Sequence, residues 1–281
     1  MSEQLDQQVD KMPRPKFLDG SPNSRLTFTF NEEIPIALTI TWQWVLAKIG
    51  EALITRNARE VINLLFSLDY VQLNENAVSD IQSIVRQPVE ENAFREIQAK
   101  ISSFKYLMNE YLHPHQNNHS CLNNLINESN FIIEKLKNLG ILGIGAFMIC
   151  SGLQLALLQE KANLDITEWS NVKNRAIEYS NYAASVTPTL FRLTVGRIDK
   201  ECKCTKCEFK PEGEETSAEY ECSYFDGKDI HLFRELSPNA GTQCNKHRLQ
   251  MFYDVTSNVN KTAARPVREA VKKWKQLAAS I

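Results

Sequence analysis

The chain has no surplus of charge of either sign: 32 Lys and Arg stand against 34 Asp and Glu in 281 residues, a formal charge of -2. That balance gives no electrostatic case for a nucleic-acid partner. Glycine and proline are scarce, ten of each, which excludes a collagen-like chain, and 43% apolar residues exclude a wholly disordered one. No apolar block occurs between Met1 and Met12, so a secretory signal of the usual kind is not expected, and release from a cell would need another route. Also lacking are a phosphate-binding G-x-x-x-x-G-K-[ST] loop, a G-x-S-x-G elbow, an H-E-x-x-H pair, an EF-hand loop and a dinucleotide fingerprint. The expectation is a protein that is not an enzyme.

What is present is helical periodicity. Residues 1–35 are polar, with Pro13, Pro15, Pro22 and Pro35, and read as a tail or activation peptide. From Ile36 the period is helical. Trp42, Val45, Leu46, Ile49 and Leu53 form one run, Val61, Ile62, Leu64, Leu65 and Phe66 a second, with a break expected near Arg56 to Arg59. The pattern then continues through Ile81, Ile84 and Val85 up to Pro88, which lacks the N–H a helix needs there. Phe94, Ile97, Ile101, Phe104, Met108 and Tyr111 repeat at alternating steps of three and four, the stripe of a helix packed along its length in a bundle. After a loop from His113 to Ser120 comes another stripe, Leu122, Leu125, Ile126, Ile132, Ile133, Leu136 and Leu139, with Asn, Glu and Lys outside it.

From Leu139 to Gln159 there are 21 residues without a charge, between Lys137 and Glu160. Three readings fit: a bilayer span, a helix buried in the middle of a soluble bundle, or a buried helix that enters a membrane once the bundle opens. Gly152 and Ala156 allow close helix contact, and Gln154 needs a polar partner in either setting. A further amphipathic stripe uses Val172, Ala176, Tyr179, Ala183 and Val186, and Pro188 interrupts it. The fold class expected is mainly α, with a helical bundle over residues 36–198.

Residues 199–243 differ. Asp199 to Glu235 carries eleven acids against six Lys or Arg, and Asp226-Gly227 is a favoured hairpin turn, so a small acidic, Cys-rich β or irregular insert is expected before the last helix. Cys204-x-x-Cys207 and Cys244-x-x-His247 have the two-residue spacing of a structural zinc ribbon, with Cys202 and Cys222 as alternative ligands. A structural zinc, disulfides and free thiols all remain readings of this cluster. His113, His115, His119 and Cys121 read instead as polar residues gathered in a loop. From Cys244 to Ile281 eight Lys or Arg face two acids, and a basic helix over 244–281 is expected to complete the bundle.

The order of these segments resembles the N-terminal helical domain of the three-domain Cry delta-endotoxins. The resemblance covers roughly residues 36–198 and rests on the central block Phe147 to Leu158, the loop to Trp169, and the run Ile177 to Ala183 with Tyr179 and Tyr182 three apart. It implies a seven-helix bundle around the central helix, and proteolytic activation that sends a hairpin, here residues 122–158, into a target-cell membrane. The inserting residues it implies are Ile144, Phe147, Ile149, Leu153, Leu155, Leu157 and Leu158; Asn123, Asn124, Asn127, Glu134, Lys135 and Asn138 would line the pore. Membrane lipid, an unidentified receptor and further copies of the chain in the pore are the partners implied. Gln154 stands where that family usually has a histidine, and no β domains for receptor recognition follow. The rival reading is a soluble helical-bundle interaction module with a structural Cys/His insert and no membrane activity.

Overall fold

The computed structural model describes residues 41–112, 119–206, 218–225, 230–237 and 240–281, with the side chains of His119 and residues 197–245 outside the description. The protein is mainly α-helical. Helix α1 (Trp42–Ile54) starts where the Thr41 side chain accepts the Trp44 N–H. It ends as expected near Arg56, whose φ of 57° is left-handed, and α2 (Ala58–Ser67) follows at once. Asp69 then caps α3 (Tyr70–Val85) by accepting from Gln72 N. The sequence pattern shows no such break, because a single capping carboxylate interrupts the chain without disturbing the apolar spacing. Arg86, again left-handed at φ 50°, stops α3 two residues before Pro88.

Helix α4 (Glu91–Leu112) buries Ile97, Ile101, Phe104, Met108 and Tyr111 as the stripe requires, with Phe94 packed at its margin. Helix α5 (His119–Asn138) takes in the last two residues of the expected loop. Gly140 takes φ 57°, a single 3-10 turn Gly140–Gly143 reverses the chain, and α6 (Ile144–Leu164) runs back along α5. Gly143 is required at this reversal, since a Cβ there would meet Leu136 O at 2.5 Å.

Asp165 caps the next turn, Ile166–Glu168, and α7 (Trp169–Val186) and α8 (Pro188–Glu201) follow, with Pro188 in the first helical position where its missing N–H is harmless. Three strands, β1 (Cys202–Lys206), β2 (Ala218–Phe225) and β3 (Ile230–Ser237), form an antiparallel sheet in sequence order. The chain closes with α9 (Ala240–Val259), a π turn at Asn260–Ala264, and α10 (Arg265–Ala279). Two helices therefore occupy the region where one basic helix is expected, and the boundary at 243/244 falls inside α9. The expected tail, residues 1–35, lies outside the described residues, as do Ile36 to Ile40.

Helix α6 is the axis of the core. Helices α1, α2, α3, α5 and α7 pack around it, and α10 touches it. Every residue from Ile144 to Gln159 is buried, whereas α10 buries only Val267, Ala270, Val271, Trp274, Leu277 and Ala278 and turns Arg265, Lys272 and Lys275 outward. Two glycines let neighbours approach α6 closely. A Cβ on Gly152 would lie 2.6 Å from Ile49 Cγ2 of α1, and one on Gly145 would lie 3.0 Å from Ala77 Cβ of α3.

Candidate functional site: the central helix and its partner

The most apolar 18-residue stretch of Gly140–Leu164 has a mean hydropathy of 2.1, and 89% of it is buried. At 1.5 Å per residue the 21 residues of α6 span about 32 Å, roughly the hydrocarbon thickness of a bilayer. Length and apolarity alone also describe the core helix of a soluble bundle. Ile144, Phe147, Ile149, Leu153, Leu155 and Leu157 are wholly buried, and Leu158 is 6% exposed. They occupy every side of the helix and touch protein throughout.

Within the buried stretch 144–159, three polar side chains tie α6 to its neighbours, and at its end Glu160 pairs with Arg59 of α2 at 3.9 Å. Gln154 Nε2 donates to Ile126 O at 3.1 Å, Ser129 Oγ at 3.0 Å and Asn130 Oδ1 at 2.8 Å, all on α5. The Tyr179 hydroxyl of α7 donates to Gln154 Oε1. Cys150 Sγ lies 3.1 Å from the Tyr70 hydroxyl and donates to Asn74 Oδ1 at 3.4 Å, both on α3. Gln159 Nε2 donates to Leu53 O of α1 at 2.9 Å. Burial pushes the Tyr179 phenol well above its ordinary value, so it remains a donor at any physiological pH.

Phe147 packs against both tyrosines of α7, with ring centroids 5.8 Å from Tyr179 and 4.5 Å from Tyr182. Tyr179 also stands edge-on to Trp274 at 6.5 Å. Tyr182, its phenol raised to about 12 by burial, donates to Lys137 O at 3.0 Å. Lys137 Nζ bridges Glu178 and Glu134, each at 2.7 Å. Burial alone would raise the Glu178 carboxyl, but hydrogen bonds from Lys137 and Arg175 outweigh it and hold the group below its ordinary value.

The residues expected to line a pore lie on the outer side of α5. Asn123, Asn124, Asn127, Glu134 and Asn138 are exposed, and Asn123, Asn127, Glu134 and Asn138 fall within about 60° of one another at 3.6 residues per turn. Lys135 is half-buried and pairs with Glu96 of α4 at 2.9 Å. The stripe Leu122, Leu125, Ile126, Ile132, Ile133 and Leu136 faces inward. Helix α5 thus separates a polar face from an apolar one, and Gln154 reaches it on the apolar side.

For the cysteine cluster only the backbone placement is described. Cys202 and Cys204 lie on β1, Cys222 lies on β2 directly opposite Cys202, and Cys244 lies on α9. Their side chains, and Cys207 altogether, are outside the described residues, as are His113 and His115. His247, three residues after Cys244 on α9, is partly exposed. Among the described residues no group of three His, Cys, Asp or Glu side chains is arranged to hold a metal ion. Cys121 and Cys150 are free thiols.

Sequence reasoning singled out Gln154 as needing a partner but not the partners themselves. Ser129, Asn130, Tyr70 and Asn74 are polar residues at inward positions of otherwise apolar stripes, and that displacement is the signal that marks them. No protein-family model, no curated protein and no solved structure matches this chain.

Proposed function

We propose that this protein is a pore-forming or membrane-disrupting toxin-like protein, and that the hairpin α5–α6 is the part that enters a target-cell membrane. The observation that carries the reading is the pairing of the uncharged run Leu139–Gln159 at the core with an amphipathic helix directly before it. A helix apolar on all sides loses little hydrophobic stabilisation when protein neighbours are replaced by lipid tails. An amphipathic partner with Asn123, Asn127, Glu134 and Asn138 on one face offers a surface for an aqueous channel once several copies assemble. The packing of α1, α2, α3, α5, α7 and α10 about α6 supports the resemblance to the delta-endotoxin helical domain and its seven-helix arrangement.

In this reading the chain acts after release, at the lipid surface of a target cell, with or without a receptor. Cleavage near the N-terminal tail is the activating step, and no residue has a catalytic role. A structural zinc or disulfide, if held by Cys202, Cys204, Cys207, Cys222, Cys244 and His247, would serve only to hold the small sheet together.

The test is dye release from protein-free liposomes before and after limited trypsin treatment. Release that appears on cleavage is the expected result. Silence at every protease dose and lipid composition would overturn the reading in favour of a soluble interaction bundle, a use that the burial of Ile144 to Gln159 equally serves.

A further inference from the structure

The membrane reading leaves the cysteines of the small sheet without a task, and the register of that sheet sorts them. Cys202 of β1 stands directly opposite Cys222 of β2. Along β2, Tyr220, Cys222 and Tyr224 alternate with Glu219, Glu221 and Ser223. Opposed positions of an antiparallel pair share a face, and so do positions two apart on one strand. One face therefore holds Cys202, Tyr220, Cys222, Tyr224 and Phe233, the partner of Cys222 on β3, while the other holds Lys203, Glu219, Glu221 and Arg234. Cys204 falls where β1 gains one residue against β2, between Lys203 and Lys206, at the Tyr220 position of the same face. Such a bulge re-aims a side chain and recurs beside functional sites. Helix α9 packs on all three strands, most extensively on the central β2, and an antiparallel sheet turns its apolar face toward such a cover. Cys244 stands in the second turn of α9.

We propose that Cys202, Cys204, Cys222 and Cys244 bind one zinc ion as four thiolates, and that this closed site holds the sheet by pinning it to α9. Four soft sulfur donors match the ligand count of a structural zinc. Lys203 and Lys206 flank Cys204 in the sequence, and Lys246 and Arg248 follow Cys244; cations beside a thiol favour the thiolate that a metal requires. Three strands of five, eight and eight residues bury too little by themselves to hold their place without a staple. Two disulfides among the same four residues are the alternative that the experiment reads directly. The site neither uses nor requires the membrane reading.

The experiment uses the full chain purified without oxygen, with zinc supplied and no reductant, and then freed of loosely held metal. Elemental analysis should find one zinc per chain. Alkylation mapped by mass spectrometry should find Cys202, Cys204, Cys222 and Cys244 protected and Cys207 modified, with the protection lost once a strong chelator removes the metal. Cys222→Ser and Cys244→Ser should each abolish stoichiometric zinc, whereas Cys207→Ser and His247→Ala should retain it. The protection pattern belongs to the unaltered chain, so a serine variant that fails to fold leaves the test intact. The proposal is overturned if no zinc stays bound, if the four cysteines are found paired in disulfides, or if Cys207 is protected while Cys202 or Cys222 is modified. The readout is metal and thiol chemistry in water, so its outcome and that of the dye-release test are independent.

Discussion

Helices α5 and α6 are neighbours of nearly equal length, 20 and 21 residues, yet they solve opposite problems. Helix α6 has no outer face: protein surrounds Ile144 to Gln159, and each polar group there meets a particular partner or meets none. Helix α5 already lies between protein and water, with Leu125, Ile132 and Leu136 inward and Asn123, Asn127 and Glu134 outward. An amphipathic helix draws its place from one apolar stripe, and an all-apolar helix draws it from closely fitted neighbours on every side. The first tolerates change over half its surface. The second tolerates little anywhere while it stays in the bundle, and it is the one suited to a second, wholly apolar surrounding.

The same new charge placed on each helix gives the widest contrast. Ile149→Asp puts an unpaired carboxylate at a wholly buried site and should cost about 3–5 kcal/mol, enough to unfold a chain of ordinary stability. A circular dichroism melt would register this as loss of the cooperative transition. Asn127→Asp, on the exposed face of α5, should change the melting free energy by less than about 0.5 kcal/mol. Equal effects at the two sites would erase the distinction between the helices.

Crowding gives the next effect. In Gly152→Ala the new methyl would sit 2.6 Å from Ile49 Cγ2, so a loss of about 1–3 kcal/mol is expected. Adding Ile49→Ala should recover part of it, a coupling that a double-mutant cycle measures. Gln154→Leu removes the amide that joins α5 to α6 and strands the Tyr179 hydroxyl; urea titration should show a loss of about 1–3 kcal/mol.

The smallest effect concerns pH. Glu178 is held below the ordinary carboxylate value by Lys137 and Arg175. A carboxyl lowered by folding adds stability above its unfolded value and loses it as pH falls through the folded one. Between about pH 4.5 and 3 the melting temperature should therefore fall slightly more steeply for the unaltered chain than for Glu178→Gln. Parallel curves would show that the pair between α5 and α7 contributes nothing measurable, as exposed pairs often do not.

Much of the fold is legible in the sequence because one physical signal carries it. The alternating three- and four-residue steps from Phe94 to Tyr111 leave few alternatives to a long packed helix, and the charge-free run marks the core. What escapes has a different cause. The break at Asp69 depends on one carboxylate meeting one N–H, which leaves no trace in the periodicity. The last turn of α6 escapes because Glu160 and Lys161 look like the end of an apolar segment, although the helix continues to Leu164 while Lys161 pairs with Glu168 at 2.9 Å. The partners of Gln154 are 24 to 28 positions away, and finding them requires the register of α5 against α6, which periodicity within each helix does not supply.

The central claim is that α6 must leave α1 for membrane activity to appear. The most direct test is dye release by protease-treated protein carrying Ile49→Cys and Gly152→Cys. A Cβ on Gly152 lies 3.7 Å from Ile49 Cβ, within the usual disulfide range of about 3.5–4.5 Å, and peptide mass mapping would establish the bond against the native cysteines. Release is expected only after reduction, since the bond fastens the central helix to the bundle. Equal release with the bond intact and with it reduced would show that the dye escapes without α6 leaving its place, and would contradict the account.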